Sequence, residues 1–293
     1  MAAEVAASFH ERTSHTWRSV RASSRTPDRS ERPLPFKLYA ELPLIPLPVH
    51  LRESDWPALD ALSGVGPPNT PTRDDQWLAS LLFYTAGVTR RWGSDPHRSH
   101  FRAAPSAGAL YPVETYVVCG DLSATVPAGI YHFEPLEYGL RCLAEGDHRR
   151  RLAAAAVDET ISSAPATIVF TAIPARTTWK YELRGYRHVW WDAGTMTANL
   201  LAQAQAFSQP AKVVFGFVDG EVGALLGLDS EHEFPLAVVP VGTPGAPAAR
   251  TAQPPDAGHP YVPVVGGSRD SEAIAVHRVA NLPTAAAVHD WRG

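Results

Sequence analysis

Two adjacent weak acids, Lys180 and Tyr181, stand in a basic segment of the chain and are candidates for proton transfer. Arg184 and Arg187 follow them closely. Partial burial and neighbouring positive charge both disfavour an ammonium group, and a phenol beside a cation is a stronger acid. Such a pair could move protons during the oxidation of a ring. The same residues also fit a helix that begins with solvated charges, and the residue types alone favour that simpler interpretation.

A second candidate is the loop at residues 101–114, FRAAPSAGALYPVE, in which small residues and one glycine precede a predicted strand. Loops of this composition let backbone N–H groups approach a flat or anionic ligand closely, and Ser106 adds a hydroxyl group. A tight turn between a helix and a strand has the same composition. The residue types therefore leave both a ligand-binding loop and a structural turn open.

A third candidate is Gly216, in the segment 213–219, VVFGFVD. The segment leads into residues that favour a short helix, so the glycine lies where a strand gives way to a helix. A strand followed by a short helix is also an ordinary structural unit, which makes this pattern less specific than the loop at 101–114.

Hydrophobic periodicity predicts the elements that must position these residues. Helices are expected at residues 73–87, 146–163, 186–207 and 221–226, and strands at residues 113–119, 129–135, 138–143, 167–173, 212–217 and 234–241. Helices and strands alternate, but one hairpin is included. The pattern therefore predicts an α+β fold in which helices cover a central sheet.

Proline is concentrated before residue 75 and after residue 239, which places the regular core between roughly those limits. We therefore expect an extended N-terminal arm at residues 1–54 and a core domain at residues 55–245. A Pro-, Ala- and Gly-rich tail at residues 246–293 is expected to be irregular or partly disordered.

Composition narrows the classes of partner and location. The net charge of −4 gives no reason to expect nucleic acid or an anionic membrane as partner. The sequence contains no run of about 18 apolar residues, and residues 1–25 lack the apolar core of a signal peptide, so the expected location is the cytoplasm. Cys119 and Cys142 fall in strand-like apolar runs and predict buried thiols in a reducing compartment. We predict no metal site.

The loop at residues 102–114 closely resembles the flavin loop of the SagB-type (McbC-like) dehydrogenases of the FMN-dependent nitroreductase superfamily. Residues 86–91 (AGVTRR), 129–135 (GIYHFEP) and 9–15 (FHERTSH) resemble the same family, with Ser14 as a small departure. The resemblance spans about residues 8–242. It implies a nitroreductase-like α+β fold with a central, mostly antiparallel sheet flanked by helices, in a dimer with flavin at the subunit interface.

By this resemblance, the chain would be an FMN-dependent enzyme that oxidises thiazoline and oxazoline rings to azoles in ribosomally made peptides. Azole-forming members carry a Lys-Tyr pair in the same Lys-Tyr-x-x-Arg-x-Tyr-Arg context, which makes Lys180 and Tyr181 the catalytic candidates. The resemblance gives as cofactor-binding candidates Arg90, Arg102, Pro105, Ser106, Ala107, Gly108, Arg187 and Gly216.

The resemblance also implies partners. The substrate would be a peptide, and a cyclodehydratase partner is expected by analogy alone. The helix at 186–207 is the expected contact of a homodimer, with a heterodimer as the alternative, because Gly194 and Ala198 would permit close approach of a second helix. The same small face would also suit packing within one subunit.

Two features of the superfamily are absent. The Arg-Arg-Ser-x-Arg-like run that clasps the FMN phosphate is replaced by residues 61–73, ALSGVGPPNTPTR, with one arginine at its end, and no basic residue follows the last strand at 241–245. A phosphate needs positive charge and N–H donors. The arginines that could supply them are Arg90, Arg91, Arg102 and Arg187.

Three interpretations remain open. The chain could be an FMN-dependent dehydrogenase that holds phosphate with other arginines, which the intact Lys180–Tyr181 pair favours. It could keep the fold as a flavin-poor scaffold or partner subunit, which the missing arginine run favours. It could also be a flavin oxidoreductase that acts on another peptide or small molecule.

The glycine pair that usually lies near the flavin in this family is also incomplete. Only Gly216 remains, since Phe215 takes the other position.

Overall fold

Six strands form the central sheet of the structure. The structure is a computed structural model, and it describes residues 2–22, 26–68, 73–94, 99–246, 258–262 and 271–293. The six strands are β1 (Leu44–Pro46), β4 (Val113–Cys119), β5 (Gly129–Glu134), β6 (Gly139–Glu145), β7 (Ala166–Ala172) and β8 (Phe234–Val241). The strand order is β1-β6-β5-β4-β7-β8, and every neighbouring pair is antiparallel. A separate antiparallel hairpin joins β2 (Val88–Trp92) to β3 (Ser99–Arg102).

Helices cover both faces of this sheet. Within the described residues they are α1 (Ala2–Thr13), α2 (Trp17–Ala22), α3 (Ala58–Leu62), α4 (Asp75–Ala86), α5 (Arg149–Ala155), α6 (Ala175–Tyr181), α7 (Gly185–Ala206), α8 (Asp219–Leu225), α9 (Ser271–Ala280) and α10 (Ala285–Arg292). Because strand side chains alternate between faces, Val113 and Val117 join the core under α4 and α7, whereas Tyr116 and Val118 join the core under α5 and α8. The predicted α+β fold with a helix-flanked sheet is confirmed.

The core elements agree with the sequence pattern to within a few residues. The strands expected at 113–119, 167–173 and 234–241 are present, as are the 129–143 hairpin and the helices at 73–87, 186–207 and 221–226. Asp74 caps α4 because its carboxylate accepts the Trp77 N–H at 2.9 Å. The prediction succeeds here because the runs are long and strongly periodic.

Two core predictions are wrong. The helix expected at 146–163 is split into α5 and a 3-10 turn at Glu159–Ser162, because Val157 takes a positive φ of 50° between them. The strand expected at 212–217 is reduced to isolated bridges, among them Val214 to Val238. There the Gly216 carbonyl accepts a hydrogen bond from the Arg292 side chain at 2.5 Å, so a side chain occupies an acceptor that a strand partner would use.

The expectations for both ends of the chain also need correction. The arm at 1–54 begins with α1 and α2 rather than extended chain, and α1 packs beside α9 through an exposed Arg12–Glu272 ion pair. The tail contains α9 and α10, with Thr284 capping α10 through the Ala287 N–H at 3.2 Å. The rest of the predicted irregular tail, at 247–257 and 263–270, lies outside the described residues, as do residues 69–72 of the arginine-poor stretch.

Among the residues that the structure describes, no helix is long and apolar enough to cross a membrane. The same part of the chain holds no cluster of three or more His, Cys, Asp or Glu side chains suited to a metal ion. Both cysteines are free thiols: Cys119 is buried, as expected, and Cys142 is half-buried.

A buried ion pair between Glu114 on β4 and Arg176 on α6 connects the sheet to its surroundings. The Arg176 guanidinium is fully buried and donates to a Glu114 carboxylate oxygen at 2.5 Å and to the Tyr111 carbonyl at 2.8 Å. It also donates to the Leu34 carbonyl at 2.8 Å, while the second Glu114 oxygen lies 2.9 Å from His132 Nε2. Burial alone would raise the pKa of Glu114, but the Arg176 charge and the His132 hydrogen bond outweigh it and lower that pKa to about 2.

A second buried pair holds the N-terminal arm on the same face of the sheet, where Tyr116 and Glu114 both point. The Lys37 ammonium lies 2.6 Å from Glu233 and donates to the Tyr116 hydroxyl at 2.9 Å. The Tyr116 hydroxyl in turn donates to the other Glu233 oxygen at 3.1 Å, and the ring of Tyr261 lies 4.1 Å from the ammonium. Since Lys37, Tyr116 and Glu233 are all buried, these three groups satisfy one another in place of water.

The Glu114–Arg176 pair yields a stability prediction. The variant Arg176→Met leaves a buried carboxylate without its counter-charge, so its free energy of unfolding should fall by about 3–5 kcal/mol. The double variant Arg176→Met/Glu114→Gln removes the orphaned charge and should recover a large part of that loss. Urea denaturation followed by circular dichroism at neutral pH measures both.

The matched control is Arg278→Met, which removes an exposed arginine paired with Glu231. Exposed pairs contribute about 0–1 kcal/mol, so this change should be small. An Arg176→Met protein as stable as the control would show that the buried pair does not hold the fold together.

Candidate active site

The loop between β3 and β4 has an unusual backbone. Gly108 has a φ of 65°, in the left-handed region that favours glycine, inside a 3-10 turn at Ala107–Ala109. Ala109 and Tyr111 also have positive φ values, of 52° and 48°. Side-chain-bearing residues rarely adopt this region, so the surrounding contacts must hold the loop in this shape.

Asp192 on α7 supplies those contacts. Its carboxylate accepts the Ser106 hydroxyl at 2.5 Å and the Ala107 N–H at 3.2 Å. The Ser106 oxygen accepts the Tyr111 N–H at 2.8 Å, so one carboxylate and one hydroxyl close the loop upon itself. Burial raises the pKa of Asp192, although the two hydrogen bonds from the loop oppose that change.

Asp192 is absent from the site residues that the sequence predicts. Its signal was a single acidic residue on the helix at 186–207, three positions after Val189 and four before Met196, which places it beside the predicted apolar stripe. In the structure Asp192 is buried at 6% exposure. The Ser106 hydroxyl and the Ala107 N–H, both predicted to contact the cofactor, are used by this carboxylate.

Lys180 and Tyr181, at the end of α6, lie directly against the loop. A Cβ atom placed on Gly108 would be 2.8 Å from the Tyr181 hydroxyl and 3.0 Å from the Lys180 ammonium. The absence of a side chain at Gly108 leaves room for this approach, and two segments that the sequence singled out separately meet at one point. Lys180 is exposed rather than partly buried, so the burial expected from the sequence is wrong.

A group of basic side chains continues from this point along the start of α7. Arg184 donates to the Thr13 carbonyl, and Arg187 Nε donates to the Thr13 hydroxyl at 2.8 Å, which fastens α1 to α7. The His188 ring lies 4.3 Å from the Tyr181 ring. Burial first, and then the Arg184 charge, lowers the pKa of His188, as expected where positive charge is concentrated.

The other predicted cofactor ligands lie in different places. Arg102 is buried; it donates to the Pro35 carbonyl at 2.5 Å and its guanidinium lies 4.7 Å from the Tyr111 ring centre, so it faces the N-terminal arm. Burial lowers its pKa to about 10, against the opposing effect of the Glu114 charge. Arg90 is exposed on β2. A Cβ on Gly216 would lie 2.6 Å from the Trp291 ring, which places that glycine under α10.

The comparison with protein families matches residues 85–243 to the nitroreductase family. The chain belongs to this family. The matched range contains the loop, Lys180, Tyr181 and Asp192, so the candidate site lies within the part of the chain that matches the family.

Two curated relatives place the chain within the nitroreductase family. It is 32% identical over 166 residues to a protein of Methanocaldococcus jannaschii named as a nitroreductase, which covers 56% of this chain and 78% of the relative. It is 28% identical over 142 residues to the microcin B17-processing protein McbC of Escherichia coli, which covers 47% of this chain and 52% of McbC. The chain is thus a McbC-like member of the nitroreductase superfamily that spans about half the length of McbC.

Solved structures agree. A nitroreductase homologue from Anabaena variabilis superposes with a TM-score of 0.72 at 28% identity, covering 94% of this chain and 54% of that one. The E. coli microcin synthetase McbBCD complex, solved with truncated pro-MccB17 bound, contains a chain that superposes with a TM-score of 0.51 at 20% identity. It covers 84% of this chain and 94% of that one, and at this identity the likeness concerns the fold alone.

Nitroreductase-family proteins generally use a flavin, and the residues around the loop fit one in their charge. Lys180 lies against the loop, and Arg184 and Arg187 follow it where α7 begins. Positive charge is therefore concentrated in this segment, which suits the phosphate of FMN. A small cavity beneath the loop is lined by Arg102, Ser106 and Asp192, and Arg102 Nε has no hydrogen-bond partner within the described residues. These hydrogen-bond donors fit an anionic cofactor. They lie elsewhere in the sequence than the Arg-Arg-Ser-x-Arg-like run that usually binds the FMN phosphate.

The role of Asp192 can be tested. In Asp192→Ala the Ser106 hydroxyl and Ala107 N–H lose their acceptor, so the strained loop should open more often. Amide hydrogen exchange of residues 106–109 should accelerate by about tenfold, because losing the hydrogen bonds costs about 1–3 kcal/mol. Mass spectrometry of exchanged peptides measures it.

The control is Thr197→Ala, whose hydroxyl bonds only within α7, to the Ala193 carbonyl at 2.8 Å. Exchange in the loop should not change in this variant. Equal exchange rates in Asp192→Ala and in the native protein would mean that Asp192 does not hold the loop.

Proposed function

We propose that this chain is an FMN-dependent oxidoreductase that dehydrogenates thiazoline or oxazoline rings to azoles in a ribosomally made peptide. The observation that carries the proposal is the contact of Tyr181 and Lys180 with the Gly108 loop. It brings two candidate proton carriers to the loop that resembles the family's flavin loop. The likeness to McbC, a microcin-processing protein, supports a peptide as the substrate.

Oxidation of an azoline removes a hydride and a proton from the ring, and the product gains aromaticity. FMN supplies the hydride acceptor in this proposal, with dioxygen as the terminal oxidant. The task of the chain is to orient the ring and to take up the proton.

Tyr181 is the proposed proton acceptor and Lys180 its electrostatic partner. The Lys180 ammonium lies 5.2 Å from the Tyr181 ring centre, within range of an electrostatic interaction with that ring. The His188 ring, tilted by 32° against the Tyr181 ring at 4.3 Å, limits the orientations that the phenol can adopt. Because the Tyr181 hydroxyl lies against the loop backbone, a proton taken from a ring bound there would travel a short distance.

Arg184 and Arg187 are the proposed partners of the cofactor phosphate. Arg187 uses Nε and one terminal nitrogen for α1, and a guanidinium carries five N–H donors. Both arginines therefore keep donors for a second partner while α1 holds them in place. Arg90, Pro105, Ser106, Ala107, Gly108 and Gly216 remain proposed cofactor contacts.

The assembly is also a proposal. A Cβ on Gly194 would meet no atom within 4 Å, and Gly194 and Ala198 are both exposed on α7, so a second helix could approach closely there. We propose a homodimer through this face, and a cyclodehydratase as partner enzyme. The McbBCD complex supports such a partner, since its solved structure contains a chain of this fold together with a bound pro-peptide.

One observation favours a second function, that of a flavin-poor scaffold or partner subunit. Arg102, which the sequence predicts as a cofactor ligand, is buried and donates to the Pro35 carbonyl. With Arg102 buried in this way, the chain would keep the fold but lose one donor for FMN, and its affinity for FMN would be low.

The cofactor distinguishes the two functions. Purified protein should be yellow, with a flavin absorbance that corresponds to about one FMN per chain, and added FMN should raise its melting temperature. Absorbance spectroscopy and differential scanning fluorimetry measure these. A colourless protein that gains no thermal stability from FMN would contradict the dehydrogenase proposal and support the scaffold.

The catalytic pair has its own test. In Tyr181→Phe and in Lys180→Ala, azoline oxidation should fall by about 10²–10⁴-fold, the usual contribution of positioned acid–base groups. Flavin absorbance should persist in both. Lys212→Ala is the control, since Lys212 is an exposed lysine paired with Asp158. Turnover that stays at the native level in both pair variants would remove Lys180 and Tyr181 from the mechanism.

A further inference from the structure

A second cavity, of about 290 Å³, lies away from the loop, between α8, the start of β8 and α9. Its apolar lining includes Phe234, Ile274 and Leu228, and its polar lining includes Asp219, His277 and Asn281. Ligand pockets begin at about 300 Å³, so this cavity suits a small molecule rather than a peptide segment. Neither the family resemblance nor the proposed reaction uses it.

Three polar atoms in the lining of this cavity have spare hydrogen-bonding capacity. His277 is 5% exposed, and its Nε2 has no hydrogen-bond partner within the described residues. The Asn281 Oδ1 is also buried and without a partner in the same part of the chain. Asp219 Oδ2 accepts the Leu282 N–H at 2.8 Å, whereas Asp219 Oδ1 faces His277 Nε2 at 3.7 Å. Buried polar atoms without partners are rare and require an explanation.

The separation of 3.7 Å between Asp219 Oδ1 and His277 Nε2 is too long for a hydrogen bond between them. It is short enough for one ammonium group to donate to both atoms. The Tyr186 hydroxyl lies 3.2 Å from His277 Nδ1. When Nδ1 carries the ring proton and donates it to this hydroxyl, Nε2 is left as an acceptor. The Asn281 oxygen is a third acceptor in the same lining.

The charges around the cavity favour a cation. Asp219 has no arginine or lysine among its contacts on the described residues, and burial raises its pKa to about 6. Two further charged residues line the cavity, and both are already paired: Arg278 with Glu231, and Glu233 with Lys37. The cavity also meets the C-terminal end of α9, where the helix dipole stabilises positive charge.

We propose that this cavity binds a small primary amine, whose ammonium group donates to Asp219, His277 and Asn281 and whose apolar part packs on Phe234. The Phe234 ring stacks on the His277 ring at 3.6 Å with an angle of 17°, which provides a flat aromatic wall. An aromatic or short aliphatic group attached to the amine would cover this wall, and the ring faces would also attract the cation.

Isothermal titration calorimetry with 2-phenylethylammonium tests the site, with 2-phenylethanol as its neutral counterpart of the same shape. The amine should bind the native protein saturably, at one site per chain, and at least tenfold more tightly than the alcohol. This comparison needs no variant. Absence of amine binding, or equal affinity for the alcohol, would overturn the proposal.

Two variants locate the site. Asp219→Asn keeps an acceptor for the Leu282 N–H but removes the charge, so it should weaken amine binding by at least tenfold. Gly223→Leu fills the cavity from α8, where a Cβ meets no atom within 4 Å, and should weaken amine and alcohol alike. Glu137→Gln is the control, because Glu137 is an exposed carboxylate paired with Arg141 outside this lining, and it should bind the amine as the native protein does. Native affinity in both Asp219→Asn and Gly223→Leu would place the amine elsewhere.

Discussion

The candidate active site depends on one buried arginine. Arg176 begins the helix that ends in Lys180 and Tyr181, and its guanidinium joins the centre of the sheet through Glu114. A lysine could not replace this guanidinium without loss, because the guanidinium also donates to the Tyr111 carbonyl at the end of the loop. One planar group therefore fixes the distance between the loop and the helix that carries the proposed proton carriers.

Tyr111 is the residue where two networks meet. Its carbonyl belongs to the Arg176 network, while its N–H donates to Ser106 and so belongs to the Asp192 network. The loop is thus held from the sheet side and from the α7 side at once. This double attachment explains how non-glycine residues can keep positive φ values there, since the contacts outweigh a local strain of about 1–3 kcal/mol.

The sequence predicted the central strands and long helices because their hydrophobic period is regular, as in β7 and α7. It could not predict that the chain at 212–217 bonds to Arg292, since that partner lies far along the chain in a tail whose composition predicts irregular structure. In the site, two segments that the resemblance singled out lie in contact at Gly108. Asp192 and the inward orientation of Arg102 were missed, because a charged residue's burial depends on tertiary partners that periodicity does not contain.

The close approach of Gly108 to Tyr181 has a consequence for how the sequence can drift. A side chain at position 108 would collide with the phenol, and a smaller residue at position 181 that relieved the collision would remove the hydroxyl. A substitution at position 108 alone would cause a steric clash, and a substitution at position 181 alone would remove the phenol. A smaller residue at position 181 would relieve the clash but abolish the proposed proton transfer. Positions 108 and 181, which lie on separate elements, should therefore vary together among descendants of this chain or be retained together.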